Sequence, residues 1–284
     1  MAASATKVIM DGLIFPECAR WHDGRLWFSD MLDRKVIVID PNGKPEVVAE
    51  VPGQPGGLGW LPDGRLLIVS MFDQRLLRLD AGGLQVAADL SKIARGNCND
   101  MVVDLKGRAY IGDWGFVGAR PKDHVTTGDV MLVTPEGKAR VVSDQLQFPN
   151  GAVITADNKT LIVADSYGYN LSAFDIRSDG SLANFRVWAD MGKGVIPDGI
   201  CLDAEGAVWV TNSAGNDVIR VKEGGKVAGQ VTVASRAYAC ILGGPKRNLL
   251  YLTTAAPGMF ADLKDKRSGR IEVIPVEVPG AGLP

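Results

Sequence analysis

The sequence predicts an all-β fold, a six-bladed β-propeller with a central metal site. Three observations predict the propeller. Helical periodicity is scarce, while short alternating apolar runs bounded by Gly, Asp, Asn and Pro recur along all 284 residues, the pattern of many short antiparallel strands. Six segments align on one strand–turn–strand pattern. Their spacing is that of a four-stranded blade, roughly 40–50 residues by the usual repeat periods.

The chain opens on "TKVIM", Thr6 to Met10, a strand with no hairpin partner of its own that is read as closing the ring beside the last blade. Blade one follows as "ARWHDGRLWFSD" with "KVIVID" as third strand, and blade two as "LGWLPDGRLLIVS" with "RLLRLD". Blades three and four are "MVVDLKGRAYIGD" with "DVMLVT" and "AVITADNKTLIVAD" with "NLSAFDI". Blade five is "ICLDAEGAVWVTN" with "DVIRVK", and blade six is "ILGGPKRNLLYLTT" with "GRIEVIPVEV". With Gly24, Gly64, Gly107, Asn158, Gly206 and Asn248 as turn markers, the intervals are 40, 43, 51, 48 and 42 residues. Gly or Asn suits a turn position with positive φ, so the markers need no functional explanation. Radial repetition shelters strand edges. No Pro/Ser-rich linker interrupts the series, so residues 1–284 are read as one propeller domain.

In a propeller the first strand of each blade lines the channel, so the residues where these strands begin form a ring around one mouth. Counting back eight residues from each marker gives Gly56, Asn99, Asn150, Asp198 and Cys240; blade one has a turn one residue shorter, and the same place there is Glu17. Turn chemistry accounts for any one Asn or Asp. It accounts poorly for Glu17, and for four oxygen-bearing side chains at equivalent sites around one axis. Two carboxylates with amide oxygens, without imidazole or thiolate, are hard ligands suited to Ca²⁺, Mg²⁺ or Mn²⁺ more than to zinc. Calcium takes about 6–8 ligands, so a set this small leaves positions for water or substrate.

Bulk properties remove other function classes. With 31 basic and 33 acidic side chains, nothing points to nucleic acid or an anionic membrane as partner. No apolar run approaches the roughly 18 residues of a membrane span. The N-terminal "MAASATKVIMDG" lacks a basic segment followed by an apolar core, and the four cysteines show no C-x-x-C spacing. A cytoplasmic location is expected. Neither a G-x-G-x-x-G nor a G-x-x-x-x-G-K-[ST] phosphate loop occurs, so no nucleotide cofactor is expected.

With these residues in view, the whole chain resembles the SMP-30/gluconolactonase family, the regucalcin-like lactonases. The resemblance is carried by "PECARW" at Pro16 to Trp21, "NCND" followed by "VDLKGRAYIG", "FPNG" with "LIVADS", "IPDGICLDAEGAVWVTN" and "ILGGPKRNLLYLTTA", and it spans nearly all six repeats. It implies a six-bladed propeller that hydrolyses a lactone or related small cyclic ester with a divalent cation, calcium first, with Zn²⁺, Mn²⁺ or Mg²⁺ as alternatives. The family's metal-binding Glu, Asn and Asp fall on Glu17, Asn150 and Asp198, and its active-site Asn falls on Asn99. In that scheme the cation polarises the carbonyl, Asp198 is the candidate base, and Asn99 positions substrate or water. A cation-bound carboxylate has a depressed proton affinity, which works against Asp198 as a base. Asp100 reads as a support for Asn99 or as a turn cap.

The chain also departs from the family pattern. Sugar-lactone hydrolases carry an Arg two residues before the active-site Asn, where this chain has Asn97, and "NDMV" stands in place of "NDGK". Asn97, Asn99, Trp114, Phe116, Tyr167 and Tyr238 are the candidate substrate-binding residues. Together with Phe15 and Met71 at other strand ends, the aromatic members predict a pocket more apolar than a polyhydroxylated substrate wants. Packing between blades is the competing explanation for each aromatic taken singly.

Other chemistries fare less well. No G-x-S-x-G nucleophile elbow occurs. Cys18, Cys98 and Cys240 flank the mouth, but a thiol nucleophile needs a base, and only His22, in the "WHDG" turn, and His124, in the insertion "GARPKDHVTTG", are present. That insertion reads as an exposed loop or a lid over the mouth. Arg95, Arg120, Lys122 and Arg236 read as scattered surface charge or as recognition of an anionic substrate. A non-catalytic, calcium-stabilised binding propeller and a metal-dependent lyase or hydratase acting beside a carbonyl stand as the alternatives to a hydrolase. The oligomeric state is left open.

Overall fold

The computed structural model describes residues 6–117, 127–258 and 260–284. Its strands form six four-stranded sheets with antiparallel neighbours, each built from consecutive strands except the last. There the outermost strand is Lys7–Leu13, which pairs with Gly269–Pro275 near the other end of the chain. The inner strands Pro16–His22, Pro55–Trp60, Cys98–Val103, Pro149–Ile154, Pro197–Leu202 and Arg236–Gly243 touch one another in a closed ring. The fold is an all-β six-bladed propeller. Among the described residues the only helix is the turn Phe260–Leu263, so no helix there is long and apolar enough to cross a membrane.

Each inner strand is an edge of its sheet, which explains why four of them begin on proline: an edge strand does not need that N–H. The glycine of "PNG" and of "PDG" has a different cause. A Cβ on Gly151 would stand 2.7 Å from the Asp198 carbonyl oxygen, and one on Gly199 would stand 2.5 Å from the Ala239 Cα. Neighbouring inner strands therefore meet backbone to backbone, and only glycine fits between them.

Apolar clusters fill the gaps between blades. Trp27, Val36 and Val38 of blade one pack on Leu58, Ile68 and Leu77 of blade two, while Tyr110, Val130 and Leu132 of blade three pack on Ala152, Val163 and Phe174 of blade four. Burying an aliphatic or aromatic side chain of this size contributes about 1.5–3 kcal/mol, so the ring is held mainly by this layer. At the far end of the channel the C-terminal segment crosses the inner strands: Leu283 exchanges two backbone hydrogen bonds with Ile154, and the Ala281 N–H donates to the Leu202 carbonyl.

The turn markers Gly24, Gly64, Gly107, Asn158 and Gly206 all have positive φ. In blade six it is Arg247, at φ 52°, rather than Asn248 that does so. The repeat register there is one residue out.

Candidate active site

The near end of the channel opens into a cavity of about 470 Å³. Glu17, Asn99, Asn150 and Asp198, from the inner strands of blades one, three, four and five, all line it. Blade two presents Gly56 at the equivalent place. A Cβ there would lie 2.7 Å from the Asn99 carbonyl oxygen and 2.9 Å from Met71 Cγ, so Met71 occupies that sector. In blade six the register break falls between Ala237 and Ala239 and Tyr238 lines the cavity. Cys240, the residue expected there from the repeat, lies deeper, its sulfur 3.7 Å from that of Cys201. The shifted turn accounts for one residue of this two-residue difference.

The amides are oriented by their donors. Asn99 Nδ2 donates to the Pro149 carbonyl at 3.2 Å, and Asn150 Nδ2 donates to Ser166 Oγ at 3.3 Å, while Ser166 Oγ itself donates to the Pro197 carbonyl at 2.7 Å. Both Oδ1 atoms are thereby left as the free ends. Glu17 accepts the Cys18 N–H at 2.9 Å. Asp198 Oδ1 is buried without a hydrogen-bond partner among the described residues.

Burial, reinforced by the charge of Asp198, pushes the Glu17 carboxyl well above its usual range. Burial likewise raises Asp198 to about 7, with Asp100 adding to the effect and the side chains of Ser213 and Asn150 opposing it. Positive charge is close but committed: the Arg20 guanidinium pairs with Asp100 and donates to the carbonyls of Ala19, Leu58 and Met101. The cavity thus combines two buried carboxylates short of a counter-ion with two amide oxygens, a hard donor set that fits a divalent cation. Half of this set is amide, which is why the described residues contain no group of three or more His, Cys, Asp or Glu placed to hold a metal.

Trp114, Phe116, Tyr167, Tyr238, Phe15 and Met71 also line the cavity. Asn97 does not. It is 1% exposed, its N–H donates to the Phe116 carbonyl and its own carbonyl accepts the Trp114 N–H, so it shapes the loop behind the wall. Asp100 also lies outside the lining and ties Arg20 to the strand of Asn99.

Sequence reasoning missed Met31, Phe72, Phe148, Ile196, Ser213 and Phe260, which line the cavity along with Ser166, Gly258 and Ala261. It also missed four residues that hold the mouth in shape. Asp30 accepts the N–H groups of Ile14 and Phe15, and Asp165 those of Gln147, Phe148 and Gly168. Asp113 accepts those of Arg95, Gly115 and Asp129, and Asn212 those of Ile196 and Ala214. Each closes the second strand of its blade and pins the segment that leads into the inner strand. Their signal was present in the repeat endings "FSD", "IGD", "VAD" and "VTN".

The thiol alternative loses ground here. All four cysteines are buried, and burial raises the thiols of Cys18, Cys98 and Cys240, which keeps them protonated. His22 stacks on Trp60 at 3.9 Å between ring centres, at the turn end of its strand. Arg95 pairs with Asp129 at 3.2 Å and does not line the cavity, whereas Arg236 does. Arg120, Lys122 and His124, with the proposed lid, lie outside the described residues.

A family model described as the SMP-30/Gluconolactonase/LRE-like region matches residues 15–256. Regucalcin of Xenopus laevis is 27% identical over 253 residues, covering 86% of this chain and 84% of the relative. Among solved structures, a calcium-binding protein, regucalcin, from Agrobacterium tumefaciens superposes with a TM-score of 0.81 at 21% identity, covering 99% of this chain and 97% of that one. A gluconolactonase from Xanthomonas campestris gives 0.76 at 22% identity, covering 96% and 89%. At these identities the likeness to the solved structures is one of fold.

Proposed function

The chain belongs to the SMP-30/gluconolactonase/LRE-like family, and we propose that it is a divalent-metal-dependent hydrolase that opens a lactone or related small cyclic ester. The observation that carries this reading is the cavity floor: four oxygen-bearing side chains from four blades, two of them carboxylates held above their usual range by burial, with Arg20, the guanidinium beside Glu17, already paired with Asp100. Glu17, Asn150 and Asp198 would hold the ion, with calcium as the first choice because every donor is oxygen. A divalent cation supplies a Lewis acid for the ester carbonyl.

The remaining work falls to the chain. Asn99, fixed through Nδ2, presents its amide oxygen toward a substrate hydroxyl or the attacking water. Asp198 Oδ1 is the unpartnered acceptor to which that water gives its proton. Cation binding lowers the proton affinity of a carboxylate and burial raises that of Asp198, so the two effects oppose. The proton then passes to the alkoxide released as the ring opens, which balances the hydrolysis.

The test is to strip the protein with chelator, restore single metals, and follow proton release from aliphatic, aromatic and sugar lactones. Turnover restored by metal and abolished in Asp198→Ala and Asn99→Ala, with the fold intact by circular dichroism, is expected. If no lactone is opened and metal changes only the melting temperature, the reading is wrong and the propeller is a binding module.

A further inference from the structure

The cavity walls are built differently from its floor. They come from the loops that follow the second strand of each blade, which supply Met31, Phe72, Trp114, Tyr167 and Phe260, and from residues just ahead of the inner strands, notably Phe15 and Phe148. Their rings form one connected network. Trp114 meets Phe72 edge-on at 5.9 Å, stacks on Phe148 at 5.8 Å and 20°, and reaches Phe260 at 6.0 Å; Phe148 meets Tyr167 at 4.9 Å. From Phe260 the network continues to Phe15 at 5.1 Å and on to Tyr238 at 4.5 Å.

This network does more than pack neighbouring blades. Blade three, which carries Trp114, and blade six, which carries Phe260, stand on opposite sides of the ring, so their contact bridges the mouth. Phe15 and Tyr238 also belong to a core cluster of the blades, with Trp114 and Phe260 packed against it, whereas Phe72, Phe148 and Tyr167 lie outside every such cluster. Phe72, at one edge, is 43% exposed. Water-exposed aromatic surface arranged around a polar floor is surface kept for a ligand.

The walls offer little to a polyol. Of the polar groups above the floor, Ser166 Oγ is already used on the Pro197 carbonyl, Ser213 Oγ donates to the Ile196 carbonyl at 3.3 Å and the Tyr238 hydroxyl lies 3.4 Å from the Ala256 carbonyl, which leaves the guanidinium of Arg236, at one side of the lining, as the main donor to a hydroxyl. Each ring hydroxyl of a sugar lactone held against the aromatic network would lose its water without a replacement partner. A flat apolar group instead meets ring faces and edges at the spacings aromatic pairs prefer.

We propose that the cavity selects a lactone or cyclic ester whose ring carries an aromatic substituent, seated on the Trp114 network, over a polyhydroxylated one. The ester rests on the hydrolase reading above, while the substituent rests on the walls alone.

Binding and turnover are therefore measured separately, on calcium-loaded protein, with γ-phenyl-γ-butyrolactone and glucono-δ-lactone as probes. Binding is read by calorimetry and by tryptophan fluorescence, turnover by proton release. The aryl lactone is expected to bind about 100-fold more tightly, at about a factor of ten for each of two hydroxyls left unpaired. Trp114→Ala is expected to weaken aryl binding at least about tenfold, and Phe72→Ser, at an exposed position, severalfold with an unchanged melting temperature. Aryl binding without turnover of any lactone upholds the selectivity and removes the hydrolase reading. Turnover of both lactones with equal or better binding of the sugar lactone overturns the selectivity and leaves the hydrolase. Failure of the aryl lactone to bind, or equal aryl binding in wild type and both variants, also overturns it.

Discussion

In the presence of chelator, the stability of this protein should fall as pH rises from 5 to 8, and Asp198→Asn should remove a large share of that fall. Asp198 titrates near 7 in the fold against an ordinary value of 3.8, because burial disfavours its charge. The native state therefore keeps a proton that the unfolded chain has already released. Stability from such a group is fully present below the unfolded value and is lost as pH climbs through the folded one. At about 1.4 kcal/mol per tenfold change in proton affinity, the full interval is worth about 4 kcal/mol, of which about 2.7 kcal/mol is lost between pH 5 and 8. With an unfolding entropy of about 2.1 cal/mol/K per residue, the melting temperature should drop by about 4–5 °C between the two pH limits. Glu17 is raised in the same direction by burial and by Asp198, and adds to the slope.

The assay is calorimetric melting at pH 5, 6, 7 and 8, with chelator and with saturating calcium, on wild type and Asp198→Asn. Asn keeps the shape of the side chain and has no proton to lose, so the chelated variant should be more stable than wild type at pH 8. It should also lose the calcium-induced rise in melting temperature, which in wild type grows with pH because the ligands must be deprotonated. Asp30, Asp113 and Asp165, also raised by burial, supply a background slope common to both proteins, so the informative quantity is the difference between them. Parallel slopes in chelator, or an unchanged calcium shift in the variant, would refute the account of Asp198 as a buried carboxylate awaiting a cation.

Arg20→Met should destabilise the protein by about 3–5 kcal/mol in denaturant melts, because it leaves Asp100 buried beside Glu17 and Asp198 without its partner. Gly199→Ala should destabilise by about 1–3 kcal/mol and weaken calcium binding, since its Cβ would be driven into Ala239 and displace the strand that carries Asp198. Asp165→Ala should lower stability by about 1–3 kcal/mol, as it strands the N–H groups of Gln147 and Phe148, and should weaken ligand binding through the freed Phe148. Calorimetric titration with calcium checks the second variant, and fluorescence titration with the aryl lactone checks the third.

The six-bladed architecture was legible because a propeller writes its period into the chain, and the turn residues that mark the period have a backbone reason to be Gly or Asn. The oxygen-bearing residues of the floor were legible for the same reason: Glu17, Asn99, Asn150 and Asp198 are one register position read in four blades, and that position lines one cavity. The register argument gave way in blade six. There Arg247 rather than Asn248 adopts the positive φ, and Tyr238, beside the register shift that every inner strand carries near its start, lines the mouth in place of Cys240. No local preference announces an arginine with φ of 52°. Asn97 failed for a related reason: its distance from Asn99 along the chain does not reveal that its backbone is bound to the loop of Trp114 and Phe116.

The walls were only partly legible, since they lie outside the repeat. Loops after the second strand differ in length and composition from blade to blade, so no register connects Phe72 with Phe260, and their approach to Trp114 is a consequence of ring closure rather than of any local pattern. The division has a chemical consequence. Floor residues sit on inner strands locked backbone to backbone through Gly151 and Gly199, where a substitution disturbs the ring itself. Wall residues of four blades, Phe15, Trp114, Phe148 and Ile196 among them, sit on segments tied down by Asp30, Asp113, Asp165 and Asn212, whose bonds go to backbone N–H groups and are indifferent to the side chain being held. The scaffold can therefore exchange one wall for another while the donor set stays in place, so the ligand accepted is set by the loops and the reaction by the strands.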